Sequence, residues 1–159
     1  MFGWSMSHTL KLNTELGVIV LRVKQSLSFD EVRGIFVEMV RLPGFKECLC
    51  LLADFRGSGT SLTGEDMRQL AFLARKKDFA WGDTKWCFVA SSDTMYGLSR
   101  MYMALTDELH VDTHVFRDIE AADGWLGLTV DVEEILIQTP DDEMLAIRSR
   151  SGTAQRTTN

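Results

Sequence analysis

Apolar runs and helical periodicity alternate along the chain, which predicts strands and helices in turn. Two short β-type runs open it, at residues 10–12 and 17–23, and their spacing predicts a hairpin. Three further apolar runs of strand length follow at 49–55, 86–90 and 111–116. The continuous run at 49–55 is typical of a strand buried on both faces, so we expect it at the centre of the sheet.

Helical spacing of apolar residues lies between these strands. Ser28 with Glu31 forms a capping box before the first helix, and Thr63 with Asp66 forms a second cap. The third helix has its apolar positions at Met95, Leu98, Met101, Tyr102, Leu105 and Leu109, and a closing helix covers 117–126. The pattern predicts a single-domain α/β fold: a mixed, mostly parallel sheet of about five strands with four helices.

The domain organisation follows from where this pattern begins and ends. Residues 1–8 are predicted to be an N-terminal extension, and 9–127 the α/β domain. Residues 128–137 contain one more apolar element, for which periodicity leaves a strand and a short helix both open. Residues 138–159 are polar and are expected to form a mobile tail.

Composition excludes several classes of function. The 159 residues carry 17 Lys and Arg against 23 Asp and Glu, a formal net charge of -6. Clustered positive charge is required for binding to nucleic acid backbones or to anionic membrane surfaces, so neither is expected. Nine acids and one base fall within 107–134. That segment is interpreted as a solvated face, with a docking surface for a basic partner as the alternative.

Cysteine content and the N-terminus predict the compartment. Cys48, Cys50 and Cys87 are an odd number, and each lies in a strand-like run, where a thiol serves as a small buried apolar group. No export signal or membrane span is visible, which predicts a cytoplasmic protein without integral membrane association. No second cysteine pair completes a zinc site, and no metal or other cofactor is predicted.

Polar loops follow three of the predicted strands, at 54–61, 91–93 and 117–118. The carboxyl ends of parallel strands form the usual ligand crevice of α/β sheets, and two of these loops lead into helix N-termini that favour anions. The residues predicted to bind a ligand or partner are Asp54, Arg56, Ser58, Thr60, Ser61, Ser91, Ser92, Asp93, Tyr96 and Arg100. No catalytic residue is predicted, because nucleophile, P-loop and complete dinucleotide motifs are absent from the sequence.

Some of these residues have two interpretations. Asp54 either accepts hydrogen bonds from the next loop or forms a recognition group with Arg56, whose guanidinium suits an anion. Tyr96 and Arg100 either line a groove or cover the core. Ser61 and Thr63 are possible phosphorylation sites, although Thr63 is most simply a helix cap.

Several segments together resemble the SpoIIAA-like proteins, which are similar to STAS domains and to the CRAL-TRIO lipid-carrier fold. They are the sequence Asp54-Phe-Arg-Gly57 after the central strand, Tyr96-Gly-Leu-Ser-Arg-Met-Tyr102, Val115-Phe-Arg-Asp118, Ala121-Ala122 and Trp125-Leu126. The resemblance covers roughly residues 9–127 and implies a small regulatory or ligand-binding domain. STAS domains of the sigma-regulatory kind carry a phosphorylated serine near the position of Ser61 or Thr63, but the sequence around that serine differs here.

Three functions follow as expectations. The first is a non-enzymatic domain that recognises a protein partner or a small anionic or lipid-like ligand at the carboxyl ends of the strands. The second is a phosphoacceptor or small enzyme that uses the strand-end carboxylates of Asp54, Asp93 and Asp118. The third is a structural homodimer with Met101, Met103 and residues 130–137 at its interface.

Overall fold

The computed structural model describes residues 8–76, 83–109, 111–127 and 134–135. Within these ranges it contains five strands, four α-helices and two short 3₁₀ turns. The strands are β1 (His8–Asn13), β2 (Val18–Val23), β3 (Cys50–Asp54), β4 (Lys85–Val89) and β5 (Asp112–Phe116). The helices are α1 (Phe29–Val40), α2 (Gly64–Ala74), α3 (Asp93–Leu105) and α4 (Ile119–Leu126).

All five strands form one sheet in the order in which they occur along the chain. The opening hairpin is antiparallel, with Leu10 opposite Leu21, and the remaining three pairings are parallel. The predicted α/β fold, a mostly parallel mixed sheet with four helices, is therefore confirmed. The central strand is also as expected, since β3 lies between β2 and β4.

Strand order decides where the helices pack. Crossovers between parallel strands are right-handed as a rule, so strands added in one direction place successive helices on the same face. Buried residues of α1, α2 and α3 accordingly share one apolar cluster with one face of the sheet, represented by Met39, Leu70 and Tyr102. The opposite face has a second cluster in which α4 and Ile135 cover the central strands.

Side-chain caps fix the start of each α-helix. Both predicted caps form, and each is a capping box: Ser28 accepts a hydrogen bond from the Glu31 amide, and Thr63 accepts one from the Asp66 amide. Ser92 caps α3 and Asp118 caps α4 in the same way. These caps anchor the ends of the loops that leave the carboxyl ends of the strands.

The short described segment near the C-terminus belongs to the core. Glu134 and Ile135 are helical, and the Ile135 side chain is only 1% exposed in the cluster that contains α4. This burial removes Ile135 from the homodimer interface predicted for residues 130–137. The predicted tail at 138–159 lies outside the described residues, as does nearly all of the predicted extension at 1–8.

Among the residues that the structure describes, no helix has both the length and the apolar character to cross a membrane.

Candidate functional site

An apolar pocket lies between the sheet and α1, α2 and α3, next to the carboxyl ends of β2, β3 and β4. It encloses about 60 Å³ in which the centre of a water-sized molecule fits, several times the roughly 10–15 Å³ that one water molecule needs by the same measure. Its walls consist of Val23, Leu27, Val32, Phe36, Phe55, Ser58, Gly59, Thr60, Leu62, Met67, Leu70, Phe88, Met95, Ser99 and Tyr102. None of these residues is charged, so the pocket suits an apolar ligand.

Two loops are joined to each other at the mouth of the pocket. Leu27, after β2, forms an isolated parallel bridge with Thr60, after β3. The Ser61 hydroxyl also donates to the Leu27 carbonyl at 3.3 Å. These contacts tie together the two loops that line this side of the pocket, through a backbone bridge and a side-chain hydrogen bond.

The floor of the pocket carries an aromatic group with a phenolic hydroxyl. The Tyr102 ring meets Phe88 edge-on at 5.7 Å between centroids and stacks near Phe36 at 6.3 Å. Burial raises the pKa of Tyr102 well above its ordinary value, so the phenol stays protonated at neutral pH. Ser99 lies one turn earlier on the same helix and is also buried.

A buried ion cluster stands at the same end of the sheet. The Asp54 carboxylate receives two bonds from the Arg56 side chain, Nε to Oδ1 at 2.9 Å and Nη2 to Oδ2 at 3.0 Å. The Arg56 amide also donates to Oδ1, and Arg22 donates to Oδ2 at 3.1 Å. Burial favours the neutral acid, but the hydrogen bonds from Arg56 and the charges of both arginines outweigh it and lower the pKa of Asp54.

The ion cluster and the pocket lie on opposite faces of the sheet. Val23 and Phe55 line the pocket, and side chains alternate between faces along a strand. Arg22 and Asp54, which immediately precede them, therefore point to the face that α4 covers. Arg56 follows Phe55 but turns back to Asp54, so its guanidinium is absent from the pocket wall.

A third group of predicted residues surrounds the start of α3. Arg117 donates to the Asp93 carboxylate at 2.8 Å and to the Ser91 carbonyl at 3.2 Å. Its guanidinium also lies 4.0 Å from the centroid of the Tyr96 ring. Arg100 stands at 6.0 Å from the same ring. These contacts join the loops after β4 and β5. Tyr96 and Arg100 line neither the pocket nor the two apolar clusters, so both interpretations of this pair stay predictions.

The strand-end carboxylates have separate partners. Asp54 binds two arginines, Asp93 binds Arg117, and Asp118 accepts a hydrogen bond from the Ala121 amide at 2.8 Å. In the described ranges, no group of three or more His, Cys, Asp or Glu side chains is placed to hold a metal ion. The geometry thus gives no support to an enzyme or phosphoacceptor built on these acids.

Hydroxyl groups proposed for phosphorylation have structural contacts. Thr63 caps α2, and Ser61 bonds the Leu27 carbonyl. Phosphorylation of either would disrupt a contact that fixes a loop or helix end. Phosphorylation at these positions stays a prediction.

The three cysteines are free and buried or half-buried. Burial, with the nearby charge of Glu47, raises the pKa of Cys48 to about 11. Burial also raises the pKa of Cys87 to about 12, aided by Asp123, and raises that of Cys50. Thiols of this kind are poor nucleophiles at neutral pH. All three cysteines were predicted to lie in strand-like runs. This was wrong for Cys48, which lies two residues before the first residue of β3.

Of the ten residues predicted to bind a ligand, only Ser58 and Thr60 line the pocket. Sequence analysis missed Ser99 and Tyr102 as site residues. One signal was present: Ser99 falls four residues after Met95 and three before Tyr102, so a hydroxyl stands within the apolar stripe of α3. A polar residue on a buried helix face calls for a partner.

Comparison with known proteins finds no matching family model, no matching curated protein and no matching solved structure. Function is therefore argued from the pocket and its surroundings, since a fold alone does not specify it.

Proposed function

We propose that this chain is a non-enzymatic domain that binds a small lipid-like molecule in the apolar pocket between the sheet and α1, α2 and α3. The observation that carries the proposal is the pocket itself, which has uncharged walls and a mouth held by the Leu27–Thr60 bridge. Well-packed interiors contain few spaces larger than a water molecule, so an apolar pocket at the strand ends is the default position for a ligand.

Other observations agree with binding rather than catalysis. The acids at the strand ends are engaged in separate contacts, and burial keeps the thiols protonated. The resemblance to SpoIIAA-like proteins also implies a ligand-binding or regulatory role. We further propose a cytoplasmic location, because unpaired thiols such as these three persist in reducing compartments.

The proposal predicts that affinity for an alcohol rises with its chain length. Burying one methylene group contributes about 0.8 kcal/mol, so 1-octanol should bind about tenfold more tightly than 1-hexanol. Isothermal titration calorimetry on the intact protein measures both affinities. Saturable binding with this ratio supports an apolar pocket, whereas the absence of saturable binding by 1-octanol contradicts the proposal.

A matched pair of variants on α1 locates the binding. Val32 lines the pocket and is half-buried, whereas Val37 on the same helix is half-buried outside it. Val32→Trp should fill the mouth and weaken 1-octanol binding at least about tenfold, the loss of roughly two buried methylenes. Val37→Trp should leave it unchanged. Equal effects of the two substitutions would place the binding elsewhere.

A further inference from the structure

Ser99 and Tyr102, two residues of the pocket wall, differ from Ser58 and Thr106, which are also buried and carry hydroxyl groups. Ser58 donates to the Phe55 carbonyl at 2.9 Å, and Thr106 donates to the Tyr102 carbonyl at 2.9 Å. These bonds are the usual solution for a buried side-chain hydroxyl. Ser99, 4% exposed, and Tyr102, 6% exposed, have no hydrogen-bond partner for their hydroxyls anywhere in the described ranges.

The positions of the Ser99 and Tyr102 hydroxyls indicate where a hydrogen-bond partner would come from. Both line the pocket and both belong to α3, three residues apart, so they lie on one face of that helix. A bound molecule would shield these two hydroxyls from water, which is unfavourable unless the molecule itself provides a hydrogen-bond partner. A bound molecule with an oxygen atom near this part of α3 would supply the missing partner. Both groups can donate to a ligand oxygen and accept from a ligand hydroxyl.

The absence of charged side chains from the pocket wall restricts the chemistry of the ligand further. All fifteen wall residues are uncharged. Of the arginines that adjoin a wall residue in the sequence, Arg22 and Arg56 bind Asp54 at the opposite face of the sheet, and Arg33, Arg68 and Arg100 are exposed and are not part of the pocket wall. An ionised head group would lose its hydration here without gaining a counter-ion, which is strongly unfavourable. An uncharged hydroxyl or carbonyl group avoids that penalty and retains its hydrogen bonds.

We infer that the ligand is an uncharged amphiphile, an apolar chain or ring with one hydroxyl or carbonyl group, whose oxygen is bound by Ser99 and Tyr102. This inference rests on the proposed function and narrows it: of the anionic and lipid-like ligands expected from the sequence, it selects a neutral lipid-like one. Ser99 and Tyr102 then determine specificity, and the other walls supply apolar contact.

The test compares eight-carbon probes that differ only in their polar end. On the intact protein, 1-octanol and 2-octanone should bind with similar affinity. 1-Fluorooctane, which has a similar shape, should bind about fivefold more weakly because it forms no strong hydrogen bond. Octanoate should bind roughly tenfold or more weakly than 1-octanol because its charge is desolvated. Octanoate as the tightest probe, or 1-fluorooctane equal to 1-octanol, overturns the inference.

Variants assign the effect to α3. Tyr102→Phe retains the ring, and Ser99→Ala retains the helix, so each should weaken 1-octanol about fivefold and leave 1-fluorooctane unchanged. Tyr96→Phe removes a phenol from the same helix outside the pocket and should change neither affinity. Unchanged 1-octanol binding in both pocket variants overturns the inference. If the proposed function itself is wrong, no probe binds the unmodified protein. That result differs from one in which probes bind but the Ser99 and Tyr102 variants have no effect.

Discussion

Asp54→Ala is expected to lower the free energy of unfolding by about 3 kcal/mol at neutral pH. Asp54 is 2% exposed, and its carboxylate forms ion pairs with both Arg22 and Arg56 at the end of the sheet. Removing one partner from a buried ion pair typically costs about 3–5 kcal/mol. We expect the lower end of that range, because both arginine side chains are partly exposed and water can solvate them.

Acid should reduce this difference. The pKa of Asp54 is lower in the folded protein than its ordinary value of 3.8. The contribution of the cluster is therefore complete above pH 3.8 and is lost as the pH falls through the folded pKa. Urea unfolding at pH 7 and at a series of pH values below 3.8 measures how the free-energy difference between Asp54→Ala and the unmodified protein falls with pH. Asp107→Ala, an exposed acid, serves as control and should change stability by no more than about 0.5 kcal/mol. A cost for Asp54→Ala below about 1 kcal/mol at pH 7 would contradict the structural role of the cluster.

Ile135→Ala is expected to cost about 3 kcal/mol of unfolding free energy. The side chain is 1% exposed and packs in the same apolar cluster as α4, over the face of the sheet that the other three helices leave open. Truncation of buried isoleucine to alanine costs about 2–5 kcal/mol because it removes apolar contacts and leaves a cavity.

A second apolar truncation provides the control for Ile135. Leu49 is 63% exposed, so Leu49→Ala should alter stability by no more than about 0.5 kcal/mol. Chemical denaturation of both variants measures the difference. Equal, small effects would mean that Ile135 does not complete the second core.

Much of the fold follows from the sequence because local signals agree. The caps at Ser28 and Thr63 require only a side chain and an amide three residues apart. Apolar runs identified every strand, with ends that differ by one or two residues from those observed. At 128–137 the signal was weaker, because too few apolar residues distinguish a period of two from one of 3.6.

The pocket was harder to predict because it depends on strand order. Sequence analysis placed the ligand among the polar loops, as in sheets whose strand order reverses at a crevice. Here the strands are added in one direction, and three helices share one face. The space therefore opens between those helices and the sheet, and its walls are apolar residues, such as Phe36 and Met95, that resemble core positions in the sequence.

The role of Arg56 was also hard to predict from the sequence, because it depends on how the chain folds. Its place in a Gly-containing loop suits an anion-binding residue, but the turn after β3 brings its guanidinium onto both oxygens of Asp54. Arg56→Glu would set two carboxylates against each other, so a loss of binding in that variant would also reflect a damaged fold. Substitutions in the pocket test ligand binding more cleanly.

Methyl NMR of the methionines during titration with 1-octanol tests the central claim most directly. Met67 and Met95 line the pocket, whereas Met39 is buried elsewhere in the core. We predict saturable shifts of the Met67 and Met95 methyl signals with no change at Met39. Absence of saturable shifts at Met67 and Met95, or an equal shift at Met39, would contradict ligand binding in this pocket.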